Sequence, residues 1–166
     1  MTRRLKLYAV QPPLKKELHS VIVMSKTKEK QRMVIREYAE YRENEILRPY
    51  RSVGWTAYTE NLSALRQGFE HSLLVLAAYE NDKLLGLIRV VGDGATIVFI
   101  QDILVFPEMQ RKGVGSALLK AVLERYQAVR QIELATDDTE KNNAFYRSMG
   151  FLEYSKFGCC GFMRLK

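Results

Sequence analysis

The stretch from Val105 to Leu119 joins a buried strand to an apolar-faced helix through a loop suited to an anion, and it constrains the fold more than any other segment. Upstream, residues 97–106 are apolar except at Gln101 and Asp102, which is typical of a strand buried on both faces. Downstream, apolar residues recur at the spacing of one helix face: Val114, Ala117, Leu118, Ala121 and Val122. The segment therefore predicts a strand, a short loop and a helix that share one core.

The loop itself combines two glycines with two basic residues. Gly113 and Gly115 allow a positive φ or a close approach of the backbone to a ligand. A helix start presents unpaired N–H groups, and the helix dipole adds roughly 0.3–1 kcal/mol for an anion placed there. Arg111 and Lys112 add two positive charges at the same point. These residues predict a phosphate or pyrophosphate site.

Two common phosphate-binding patterns do not fit this loop. The P-loop pattern G-x-x-x-x-G-K-[ST] does not occur in the chain, and Leu118 stands where a Rossmann fingerprint needs its third glycine. The segment matches Q/R-x-x-G-x-G/A instead, and a second motif, Ala144 to Phe151 (AFYRSMGF), follows it. With these two motifs the chain resembles the GNAT acetyltransferase superfamily over residues 32–166.

The resemblance implies an α+β fold with a mixed, mostly antiparallel sheet flanked by helices, whose central strands splay apart. It also implies acetyl-CoA as the co-substrate and transfer of acetyl to a primary amine by direct attack in a ternary complex, without a metal. Pantetheine would pair with the main chain of the fourth strand, and the loop would hold the pyrophosphate. The implied cofactor-binding residues are Ile103, Leu104, Val105, Gln110, Arg111, Lys112, Gly113, Val114, Gly115, Ser116 and Asn142.

Tyr146 is the residue that the resemblance marks as general acid. Acyl transfer leaves a CoA thiolate, and a phenol with a pKa near 10 is able to protonate it. The alternative is an aromatic packed beside Phe145 and Met149. The family often carries asparagine seven residues and alanine four residues before this tyrosine, where Thr139 and Asn142 stand here.

Asp102 is the candidate general base, because the attacking amine has to lose a proton and this carboxylate lies inside an apolar strand. A buried carboxylate held by backbone N–H groups is the alternative. We expect Gln101 to lie on the opposite face. Glu80 is a weaker candidate, and water alone is a further possibility.

The net charge of +7 is concentrated at the amino terminus. Residues 1–31 carry eight basic and two acidic residues, a net charge of +6, whereas residues 32–166 carry only +1. We therefore expect a basic extension over 1–31, which contains a helical pattern at Leu14, Leu18, Val21 and Ile22, and a catalytic domain over 32–166. Nucleic acid is not expected as a partner of the domain.

The remaining features predict a cytoplasmic protein. No apolar run is long enough to span a membrane, there is no signal-peptide core, and the adjacent Cys159 and Cys160 resemble reduced thiols. His19 and His71 show no ligand spacing, so no metal site is predicted. A homodimer is compatible with the sequence. Trp55 and Tyr58 are candidates for the acceptor pocket or for core packing.

Hydrophobic periodicity predicts the order of the elements. We expect strands over 33–38, 73–79, 84–91, 97–106, 131–135, 151–156 and 162–165, and helices over 45–53, 59–69, 114–126 and 139–149. The predicted function is an N-acetyltransferase. The alternatives are a non-catalytic acyl-CoA-binding protein and an acetyltransferase for protein amino termini or lysines.

Overall fold

The computed structural model describes residues 33–165, and the predictions made for residues 1–31 lie outside this range. Its strands are β1 (Val34–Glu37), β2 (Leu74–Glu80), β3 (Lys83–Gly92), β4 (Ile97–Val105) and β5 (Gln131–Leu134). Its helices are α1 (Glu43–Ser52), α2 (Thr56–Thr59), α3 (Leu62–Glu70), α4 (Val114–Arg125) and α5 (Glu140–Ser148). Short 3-10 turns cover Pro107–Met109 and Tyr154–Phe157.

The strands form one sheet in the order β1-β2-β3-β4-β5. All neighbours are antiparallel except β4 and β5, which are parallel because α4 carries the chain back between them. This is the α+β, mostly antiparallel sheet that the sequence predicts. Within the described residues no helix is both long and apolar enough to cross a membrane.

Each face of the sheet has its own core. Leu118, Leu119 and Val122 of α4 are fully buried on one face, and Ile46 and Tyr50 of α1 are fully buried on the other with α3. The segment predicted as one helix over 59–69 contains the last residue of α2 and most of α3, because the helical conformation is interrupted at Glu60 and Asn61. The Asn61 side chain accepts a hydrogen bond from the Ala64 N–H and so caps the start of α3.

A bulge in β4 changes which face its side chains reach. Arg89 pairs with Asp102 and the next residue, Val90, pairs with Ile100, so that Gln101 is the extra residue. Ile100 before the bulge packs in the α4 core, whereas Leu104 beyond it packs in the α1 and α3 core. The expectation of a strand buried on both faces is wrong in part, because every second residue of β4 is only half-buried.

The two strands predicted at the carboxyl end are wrong. Residues 151–165 form a 3-10 turn, Tyr154–Phe157, and irregular chain, and Gly158 reverses the backbone direction with φ 71°. Phe162 is 96% exposed. The apolar composition suits a strand, but a strand also needs a neighbouring edge to pair with, and none of the described strands pairs with this segment.

Candidate active site

A cleft of about 1690 Å³ opens where β4 and β5 separate. Their parallel pairing runs from Ile97 opposite Gln131 to Ile100 opposite Leu134 and stops there, because β5 ends while β4 continues to Val105. The half of β4 beyond the bulge is therefore paired with β3 alone. The residues of β4 that were predicted to pair with pantetheine line the cleft at the point where the two strands separate: Ile103, Leu104 and Val105.

The start of α4 forms one end of this cleft. Gly113 is the N-cap residue and has φ 86°, and Arg111 has φ 59°, so the backbone turns sharply twice before the helix. The first helical hydrogen bond runs from the Ala117 N–H to the Gly113 carbonyl at 2.9 Å. Within residues 33–165, the N–H groups of Val114, Gly115 and Ser116 have no hydrogen-bond acceptor. This geometry offers three donors to an anion.

Three basic side chains stand around these donors. Arg111 and Lys112 are exposed on the loop. Lys141 of α5 reaches across the cleft, where its Nζ lies 3.3 Å from Oε1 of Gln110. The Gln110 side chain in turn donates its Nε2 to the Val105 carbonyl at 3.3 Å. Lys141 was not predicted as a site residue, because no local feature of the sequence indicates that α5 starts beside the loop.

Tyr146 lines the same cleft from α5. Its ring packs edge-on against Phe145 at 5.0 Å and against Phe151 at 6.0 Å. Burial raises the pKa of Tyr146 and the nearby Thr136 side chain lowers it by less, so the net shift is upward and favours the protonated phenol. A packed ring and a proton-donating hydroxyl are therefore compatible in one residue.

Asn142 supports the loop that precedes α5. Its Nδ2 donates to the Thr136 hydroxyl at 3.0 Å and to the Asp137 carbonyl at 3.3 Å. Its own N–H is capped by the Thr139 hydroxyl at 3.2 Å. Asn142 also lines the cleft, so the structure brings it together with the loop residues.

Asp102, the candidate base, is not among the residues that line the cleft. Its side chain is 0% exposed, and its Oδ2 accepts from the Tyr50 hydroxyl at 2.6 Å and from Nε of Arg89 at 2.5 Å. The sequence expectation missed Arg89, which lies on the neighbouring strand and also donates to the Gly68 carbonyl at 3.1 Å. Asp102 therefore lies in a buried ion pair and outside the cleft lining.

The cleft end beside the bulge is aromatic. Trp55 and Tyr58 line it together with Gln101, whose Nε2 donates to the Tyr58 hydroxyl at 3.3 Å. Gln101 binds Tyr58 and Asp102 binds Tyr50, and these two rings pack 5.2 Å apart, so the expectation that Gln101 lies on the opposite face from Asp102 is wrong. Glu80 is absent from the lining. Among the described residues, no group of three His, Cys, Asp or Glu side chains is placed to hold a metal ion.

Comparison with known proteins identifies the family. The model of the Acetyltransferase (GNAT) family matches residues 38–151. A solved acetyltransferase of the GNAT family from Streptococcus pneumoniae TIGR4 is 41% identical, with a TM-score of 0.74, over 81% of this chain and 98% of that one.

Two curated proteins are more distant relatives. A putative acetyltransferase from Gibberella zeae is 32% identical over 43% of this chain and 41% of its own length. An uncharacterized N-acetyltransferase, ycf52, from Gracilaria tenuistipitata var. liui is 28% identical over 61% of this chain and 57% of its own length. The chain thus spans about half the length of these curated relatives. The match of the family model over more than half of the chain shows that this protein belongs to the GNAT acetyltransferase family.

Proposed function

We propose that this protein is an N-acetyltransferase that moves an acetyl group from acetyl-CoA to a primary amine by direct attack in a ternary complex. The observation that carries the proposal is one cleft lined both by Gly115 and Ser116, whose N–H groups are open, and by Tyr146. The first feature suits a pyrophosphate and the second suits a leaving thiolate. Domain boundaries at 1–31 and 32–166, and a cytoplasmic location, accompany this proposal as predictions.

The loop and its cations are assigned to the cofactor. The N–H groups of Val114, Gly115 and Ser116 would donate to the pyrophosphate, and Arg111, Lys112 and Lys141 would supply positive charge. The free edge of β4 would pair with the pantetheine arm, as an added strand does. Gln110 already occupies the Val105 carbonyl, and the main-chain groups of Leu104 turn to β3 as the Phe106 N–H does, so the Ile103 groups and the Val105 N–H remain for this pairing.

The chemical step needs one proton donor and one proton acceptor. The amine nitrogen attacks the thioester carbonyl carbon, the new C–N bond forms, and the C–S bond then breaks. The departing thiolate takes the proton of the Tyr146 hydroxyl, and the proton lost by the amine passes to water. Water takes the place of Asp102 as acceptor, because that carboxylate lies outside the cleft lining and in contact with Arg89.

A non-catalytic acyl-CoA-binding protein is the alternative, and two measurements separate it from an enzyme. Calorimetry of the full chain with acetyl-CoA measures binding, and release of free thiol in the presence of primary amines measures transfer. We expect both. Binding without thiol release from a broad set of small amines and peptides would overturn the enzymatic proposal.

The location of the cofactor is tested by a glycine pair. Gly113 has φ 86° and Gly150 has φ 89°, and a Cβ at either position meets nothing within 4 Å in the protein. Valine strains the backbone alike at both places, but only Gly113 lines the cleft. Gly113→Val should abolish acetyl-CoA binding and Gly150→Val should not. Equal affinities in the two folded variants would contradict the assignment.

A further inference from the structure

The wall of the cleft beside the β4 bulge is a pair of stacked aromatic rings. Trp55 and Tyr58 lie with their centroids 5.7 Å apart and an interplanar angle of 25°. Both are half-buried and both line the cleft, so each has one side in the protein and another open to a ligand. We refer to Trp55 and Tyr58 as the aromatic platform.

Neighbouring side chains fix the orientation of the aromatic platform. The Tyr50 ring contacts Trp55 at 6.2 Å and Tyr58 at 5.2 Å between centroids, and the Tyr50 carbonyl accepts the Trp55 N–H at 3.0 Å. Tyr50 is fixed by its hydrogen bond to Asp102, while Gln101 holds the Tyr58 hydroxyl. A surface whose orientation is fixed before binding loses little entropy when a ligand covers it.

The charges along the cleft differ between its two ends. Among the described lining residues the acids are Glu108 and Asp137, and both follow strand ends, near the loop that carries Arg111 and Lys112. At the aromatic platform the described lining residues include Val53, Gln101 and the two rings, and none of those described there is a carboxylate. A polycationic acceptor needs carboxylates for the amines that do not react, and the described residues at this end of the cleft supply none.

We propose that the aromatic platform binds the acceptor, and that this acceptor is a monoamine with a flat apolar body, of the arylalkylamine class. The inference rests on the proposed N-acetyl transfer and names the amine for it. A flat ring packs against the exposed parts of the stacked pair Trp55 and Tyr58, while its short alkyl arm carries the single amino group toward β4. The amine then attacks the thioester carbonyl carbon, and the departing thiolate takes the Tyr146 proton.

The first test compares three amines with the full-length protein and acetyl-CoA, by thiol release. 2-Phenylethylamine and 2-cyclohexylethylamine share an arm but differ in flatness, and spermidine is a polycation. We expect kcat/KM to be at least about tenfold higher for the phenyl compound than for spermidine, and higher for phenyl than for cyclohexyl by about two- to tenfold. A preference for spermidine would overturn this proposal alone. No thiol release with any amine would overturn the proposed function as well.

The second test places the preference on the platform. Trp55→Leu should remove the advantage of phenyl over cyclohexyl while the KM for acetyl-CoA stays unchanged. Phe157→Leu is the matched control, because Phe157 is 67% exposed and lies outside the cleft lining. Tyr58→Leu provides a second platform variant should Trp55→Leu fail to fold. A phenyl preference that survives in a folded platform variant would show that the ring binds elsewhere.

Discussion

Replacement of Arg89 by methionine should be among the most destabilising single changes in this protein. The Arg89 side chain is 8% exposed and the Asp102 side chain 0%, so methionine fills similar space but leaves a buried carboxylate without its cation. Loss of one partner of a buried ion pair costs about 3–5 kcal/mol, a large share of a domain stability of about 5–15 kcal/mol. Among residues 33–165 nothing donates a hydrogen bond to the buried Oδ1 atom of Asp102, which leaves this carboxylate still more dependent on Arg89.

The geometry explains why this pair depends on being complete. Burial by itself lowers the pKa of Arg89, but the Asp102 carboxylate and Tyr50 together raise it by more. The net shift is therefore upward, and the guanidinium stays charged. Burial and the same carboxylate raise the pKa of Tyr50, which remains a hydrogen-bond donor. The three groups stabilise one another only while both charges are present.

Urea unfolding measures the cost. The matched control is Arg36→Met, since Arg36 also pairs with an aspartate, Asp82, at 3.3 Å but with side chains 51% and 90% exposed. An exposed pair contributes about 0.2–1 kcal/mol, so this variant should unfold near the wild-type midpoint. A loss of unfolding free energy in Arg89→Met no larger than in Arg36→Met would refute the reasoning.

A triple variant separates structure from catalysis. Arg89→Met, Asp102→Leu and Tyr50→Phe together remove both charges and the hydroxyl, and an all-apolar replacement of a buried ion pair is often close to neutral for stability. We expect the triple variant to be more stable than Arg89→Met alone and to keep kcat within about tenfold, because the general base contributes about 10²–10⁴-fold where there is one. A folded triple variant that lost turnover by that larger factor would restore Asp102 as the base.

Three further predictions concern the cofactor site, the proton donor and the amino terminus. Arg111→Ala should weaken acetyl-CoA binding by only about 1–2 kcal/mol in calorimetry, because it removes one charge-assisted contact among several; a complete loss of binding would mean that the N–H groups contribute little. Tyr146→Phe should lower kcat by about 10²-fold with acetyl-CoA affinity unchanged. Since burial raises the pKa of Tyr146 and the protonated phenol is the active form, the loss of wild-type kcat through ionisation of this group should occur at a higher pH than a free tyrosine would give, which a pH profile of kcat measures. A chain that begins at Gln31 should fold, bind acetyl-CoA and elute earlier from cation exchange, whereas an insoluble product would place residues 1–31 within the core.

The local features of the site are determined by contiguous sequence. The turn before α4 needs glycine at position 113 because φ is positive there, and the open N–H groups follow from any helix start that lacks a side-chain cap. The segment around Tyr146 likewise places its side chain through the periodicity of one short helix. The loop from Gln110 to Ser116, the helix that carries Tyr146 and the order of the first five strands were therefore predictable.

Contacts between segments that are far apart in sequence depend on the tertiary structure and could not be predicted. A single extra residue in β4, Gln101, turns Asp102 to the α1 face and beside Arg89, and no periodicity in the sequence reveals that register. Lys141 contacts Gln110 of the loop before α4, although the two residues are 31 positions apart in sequence. The carboxyl-terminal segment has the composition of a strand, but strand formation requires hydrogen bonds from a neighbouring edge. Composition fixes what a segment is able to form, and the pairing of distant segments decides whether it does.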